Sequence, residues 1–190
     1  MPHESGSQRV PQRRRSRSPS RSLRFQLFVK EVKRHLTRED SETTAIYIKV
    51  ITDIAKIHYG DDDPGDYSDK VGDFFENSFP VVLPRQWGPQ VDGKDTIWVR
   101  QEVIQACEDA DSIEQVLQVK MILLVIILHE LGHTLVEHIF PGTITPGGVG
   151  DNPRDPRFEE IGWEIENKVF GFHLLVEWFH EDCYDIRQRR

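Results

Sequence analysis

Apolar residues recur along this chain at two different spacings, and the switches between them mark out its elements. From Ser41 to Tyr59, the residues Tyr47, Val50, Ile51, Ile54 and Ile57 fall three or four apart. That spacing predicts a helix burying one stripe, with Ser41 as its N-cap and Gly60 as its stop. Many of these residues are β-branched, so a strand competes for the same segment. Between Leu23 and Leu36 the signal is mixed: Leu23, Phe25 and Leu27 alternate as in a strand, while Phe28, Val32 and Leu36 keep helical spacing. Asp95 to Arg100 is the clearest strand, preceded by a turn at Val91-Asp92-Gly93-Lys94. Pro80, Pro84 and Pro89 surround Val81-Val82-Leu83, so a strand there is short or at an edge. Asp111 or Ser112, with Gln115 behind, caps a helix expected from about Ile113 to Phe140, ended by Pro141-Gly142. A Gly- and Pro-rich loop follows to Arg157, and a second helix is expected over about 158–180. The fold class this implies is α+β. A small mixed sheet with an edge strand near 96–100 packs on a buried helix.

Charge divides the chain in two. Residues 1–22 hold six arginines (Arg9, Arg13, Arg14, Arg15, Arg17, Arg21) and one acid, Glu4, leaving the other 168 residues with 18 basic and 31 acidic side chains. The Arg- and Ser-rich segment 1–22 has almost nothing apolar to bury and is expected to be a disordered tail. Residues 23–190 are expected to form a single domain. The tail resembles Arg-Ser segments of nuclear proteins and reads as a localisation patch, a phosphorylation-switched arm or a solvated tail. It could give weak, salt-sensitive contact with nucleic acid or protein. The body, with a net charge of −13, argues against a nucleic-acid-binding core. Acidic turn Asp61 to Asp66 does not fit an EF-hand loop, because Gly65 stands where a ligand is required. Cys107 and Cys183 form no C-x-x-C and read as free thiols. Met1 leads into a polar stretch with no apolar leader core, so the expectation is an intracellular chain, cytoplasmic or nuclear, without a membrane anchor. Sequence does not define the oligomeric state.

The run Met121 to Leu128 is apolar on every side and then breaks into His129-Glu130-Leu131-Gly132-His133. An all-round apolar helix is a buried one, and eight residues fall short of the roughly 20 that a membrane span needs. Histidines four apart lie on one helical face, one turn from each other, and can share a metal ion. Glu130 then stands beside any water on that metal, which is the logic of an H-E-x-x-H zinc hydrolase site. Gly132 costs about 1 kcal/mol of helix propensity, which suggests a close approach at that point.

A catalytic zinc usually takes three protein ligands. The extended pattern with a third histidine fails, because Val136 and Ile139 occupy its Gly and His places. His138 falls off the metal-facing side and reads as a surface residue. What remains is a carboxylate from the second helix, where Glu159, Glu160, Glu164 and Glu166 crowd into an apolar segment. The helix dipole accounts for Glu159 and Glu160 as first-turn acids. It accounts poorly for Glu166, set among Ile165, Val169 and Phe170.

His129-Glu-Leu-Gly-His133 with Glu160-x-Gly-x-x-x-Glu166 and Phe170-Gly171 resembles the zincin-fold metallopeptidases of the gluzincin type, and small fungal zincin-like proteins in particular. The resemblance covers roughly Thr96 to Phe172. It implies Zn²⁺ held by His129, His133 and Glu160. Glu164, one turn later, would orient a ligand histidine, and Glu166 is the competing ligand. It also implies a polypeptide substrate paired along Ile97, Trp98 and Val99, with Glu130 as general base of peptide-bond hydrolysis. Tyr184, His173 and His180 are candidates for a transition-state donor. The chain departs from familiar gluzincins in being small. Two other readings stand beside this one: a catalytically weak or inactive zincin-like binding protein, and a non-peptidase zinc amide hydrolase.

Overall fold

The structure is a computed structural model that describes residues 22–60, 65–85, 95–142, 161–178 and 184–189. Arg- and Ser-rich segment 1–21, most of the acidic turn, and Glu159 and Glu160 lie outside the described residues. What is described is mainly helical, with two small sheets.

Helix α1 spans Leu23–Leu36. Phe25, Phe28, Val32 and Leu36 are its buried stripe, whereas Leu23 and Leu27 are exposed. Of the alternating Leu23, Phe25 and Leu27 only Phe25 is buried, and it belongs to the helical stripe, so the helical spacing prevails. Lys33, Arg34 and His35 fill its last turn, where positive charge suits the helix dipole. Helix α2 covers Glu42–Tyr59 as the spacing predicts. Its N-cap Ser41 accepts the Thr44 N–H at 3.2 Å, and Gly60 ends it at φ 63°.

Two helices were not anticipated. Helix α3, Ser68–Asn77, buries Val71, Phe74 and Phe75 at i, i+3 and i+4. It starts where the Asp66 carboxylate accepts the Ser68 N–H at 2.9 Å. Strand β1, Val81–Arg85, is short and contains Pro84, as expected. Strand β2, Thr96–Arg100, matches the predicted strand and pairs with β1 in parallel, Val82 opposite Ile97 and Pro84 opposite Val99. Helix α4, Gln101–Asp109, then intervenes before the long helix and buries Val103, Ile104 and Cys107.

Helix α5, Ile113–Ile139, is the core helix. Ser112 accepts the Gln115 N–H at 3.2 Å while the Gln115 side chain accepts the Asp111 N–H at 3.1 Å, so the predicted capping pair closes both ways. The eight-residue apolar run is only part of it. The helix as a whole is long and apolar enough to cross a membrane by length and composition, but 56% of its apolar window is buried inside the fold. That burial is what a core helix of this length shows.

Helix α6, Ile161–Phe170, is shorter than the expected 158–180 element. Gly171 stops it at φ 72°, a conformation in which a side chain is strained, and its N–H caps the Asn167 carbonyl at 2.8 Å. Residues beyond it form an antiparallel ribbon of β3, His173–Trp178, and β4, Tyr184–Arg189. The single mixed sheet expected from the sequence is thus two separate two-stranded ribbons, one parallel and one antiparallel. Two-stranded ribbons are marginal alone, and β2 and β3 each pack against α5. One apolar cluster joins α1 to α6, with Tyr47, Phe75, Leu123, Ile127, Leu131 and Ile165 fully buried in it.

Candidate metal centre

The α5–α6 interface gathers the chemistry. His129 and His133 are one turn apart on α5, their ring centroids 5.2 Å apart and their planes 52° apart. Both are part-buried, as is Glu130 between them. Thr134 bonds back to the Glu130 carbonyl at 2.9 Å, a local contact that satisfies a hydroxyl within the helix.

Helix α6 meets this face with Gly162 and Glu166 against His129, and Ile161 and Ile165 against Gly132. The Glu166 carboxylate, 4% exposed as a residue, lies 2.7 Å from His129 Nδ1. A bond donated from Nδ1 to this carboxylate would leave Nε2 as the ring nitrogen to face a metal. The distance also separates two roles. Two donors sharing a tetrahedral zinc at about 2.0–2.1 Å stand about 3.3 Å apart, whereas 2.7 Å is hydrogen-bond length. Glu166 thus stands at hydrogen-bond distance from His129, the placement of a carboxylate that orients an imidazole. Glu164, to which the resemblance gave that orienting role, turns elsewhere: its buried carboxylate pairs with Lys168 at 2.8 Å, one turn along the same helix.

Glycines make the interface close. A Cβ at Gly162 would lie 2.4 Å from three atoms of the His129 ring, so that ring rests on bare α6 backbone. A Cβ at Gly132 would meet Ile161 and Ile165 Cγ1 at 3.4 Å. The sequence anticipated a close approach at Gly132, but its partners are side chains and the contact is ordinary. The tight approach is at Gly162. That residue stood in the motif without a role, and only the position of the ring reveals it.

Beneath the motif, Tyr47 of α2 donates to the Leu128 carbonyl at 2.5 Å. Burial pushes the Tyr47 hydroxyl well above its ordinary pKa, so it stays protonated as a donor. Ile97 and Val99 of β2 are buried in the core, while part-buried Trp98 faces the other way, its Nε1 buried with no hydrogen-bond partner among the described residues. The three residues expected to line a substrate edge thus divide between core and flank. His138 is exposed against the Phe74 ring at 5.2 Å, consistent with a surface histidine. Cys107 is buried and free, its thiol pKa raised by burial. Side chains of His173, His180 and Tyr184 lie outside the described residues, as does Cys183.

Among the described residues no three His, Cys, Asp or Glu side chains converge on one metal position. Two imidazoles one turn apart, one held by a carboxylate on its far nitrogen, fit zinc in donor type and in surrounding support. Neither family models, characterised proteins nor solved structures give a match to this chain.

Proposed function

We propose that the chain is a zinc-dependent metallopeptidase of the zincin type, with His129 and His133 as ligands and Glu130 as general base. The observation that carries this reading is the buried 2.7 Å contact between Glu166 and His129 Nδ1. A carboxylate on Nδ1 of the first histidine in H-E-x-x-H is the arrangement that fixes tautomer and ring direction for a metal. The third ligand is the one the resemblance implies, Glu160, which precedes the described residues of α6 in the sequence.

Bound Zn²⁺ would supply Lewis acidity and lower the pKa of a water toward about 7. Glu130, one residue from His129, accepts the proton of the attacking water and hands it to the leaving amine. The polypeptide substrate lies along the β2 side of α5, with Trp98 on the flank that does not enter the core.

Glu130→Gln tests the mechanism. Zinc content should stay at the wild-type level while cleavage of a peptide library falls below detection. A Glu130→Gln protein that keeps full cleavage with zinc bound would refute the mechanism. A zinc-loaded wild type that cleaves no peptide or amide would support a zincin-like binding protein instead.

A further inference from the structure

Helix α6 touches His129 at two points one turn apart, Gly162 and Glu166. At the first, any side chain would enter the ring: a Cβ at Gly162 would stand 2.4 Å from Cγ, Nδ1 and Cε1. At the second, the carboxylate takes Nδ1 at 2.7 Å. Residues i and i+4 lie on one face of a helix, so both contacts come from the same stripe of α6. A hydrogen bond alone leaves an imidazole free to swing about it. A flat backbone surface under the ring removes that freedom, because the ring can neither tilt toward α6 nor leave it without breaking the Nδ1 bond. Gly162 is the second residue of α6, and a Cβ there would meet the shortest contacts of any described glycine.

We propose that Gly162 is a positioning residue for the metal centre, the seat that sets the plane of the His129 ring while Glu166 sets its tautomer. This rests on the metal-centre reading above. It explains why α6 carries glycine there although the helix packs its neighbours Ile161 and Ile165 into the core. The geometry also locates the fault that a methyl group would cause: the ring must turn away from α6, and its Nε2 turns with it.

Zinc affinity of the full chain, measured by competition with a chromophoric chelator, tests the seat. Gly162→Ala should keep the wild-type far-UV circular dichroism and bind zinc about 10–100-fold more weakly, the usual range for loss of a group supporting a metal ligand. Gly72→Ala, where a Cβ meets nothing within 4 Å, should bind zinc as the wild type does. A folded Gly162→Ala protein with wild-type affinity would overturn the seat and leave the metal centre standing. A wild type that binds no zinc would overturn the metal centre and the positioning role with it. A stability cycle covers the case in which Gly162→Ala does not fold. Removing the ring should rescue it, so that His129→Ala/Gly162→Ala is as stable as His129→Ala alone. A double variant as damaged as Gly162→Ala would show that the methyl group clashes with something other than the ring, and the seat would be wrong.

Discussion

Glu166 Oε1 and His129 Nδ1 are 2.7 Å apart although 37 residues separate them in the chain, and their side chains are 6% and 19% exposed. Burial of a carboxylate is tolerated only with a partner, and here the partner is the first histidine of the motif.

Glu166→Ala should therefore weaken zinc binding by about 10–100-fold with little change in fold. Glu164→Gln should act the other way, lowering the melting temperature through its lost pairing with Lys168 while zinc affinity holds. Chelator competition and thermal melts on the two variants separate the roles. Reversed results would return the orienting role to Glu164.

Much of this arrangement was legible in the sequence, and the rest was hidden for definable reasons. The motif helix, its capping pair, α2 and β2 followed from spacing and end signals, because each is decided within a few neighbouring residues. Helix α4 was missed because its apolar set, Val103, Ile104 and Cys107, is too short to show a period. Helix α6 stops short of the expected 158–180 element because Gly171 takes a positive φ, which spacing alone does not report. Choosing between Glu164 and Glu166 depends on which face of α6 meets α5, and no local pattern reports that.

Gly132→Ala should change stability by no more than about 1 kcal/mol. Alanine gains about that much helix propensity, and the added methyl meets Ile161 and Ile165 Cγ1 at 3.4 Å, an ordinary contact. A urea titration gives the value. A loss well beyond 2 kcal/mol, about the scale of an overpacked core, would mean that α5 and α6 cannot adjust at this contact.

Tyr47 ties stability to alkaline pH. Below about pH 10 its hydroxyl is protonated in both folded and unfolded chains, and its contribution is present in full. Above that, the unfolded chain releases the proton while the buried hydroxyl keeps it, so stability falls as pH rises toward the elevated folded value. Tyr47→Phe should cost about 1 kcal/mol at neutral pH through the lost bond to the Leu128 carbonyl. It should also show a shallower alkaline decline. Denaturant midpoints for both proteins across neutral and alkaline pH check this, and parallel curves would show that Tyr47 does not drive the decline.

X-ray absorption at the zinc edge of the full chain tests the metal centre most directly. Two imidazole nitrogens and one carboxylate oxygen at about 2.0–2.2 Å are expected, with one equivalent of zinc lost in His129→Ala, His133→Ala and Glu160→Ala alike. Zinc absent from the wild type, or retained in full by both histidine variants, would contradict the account.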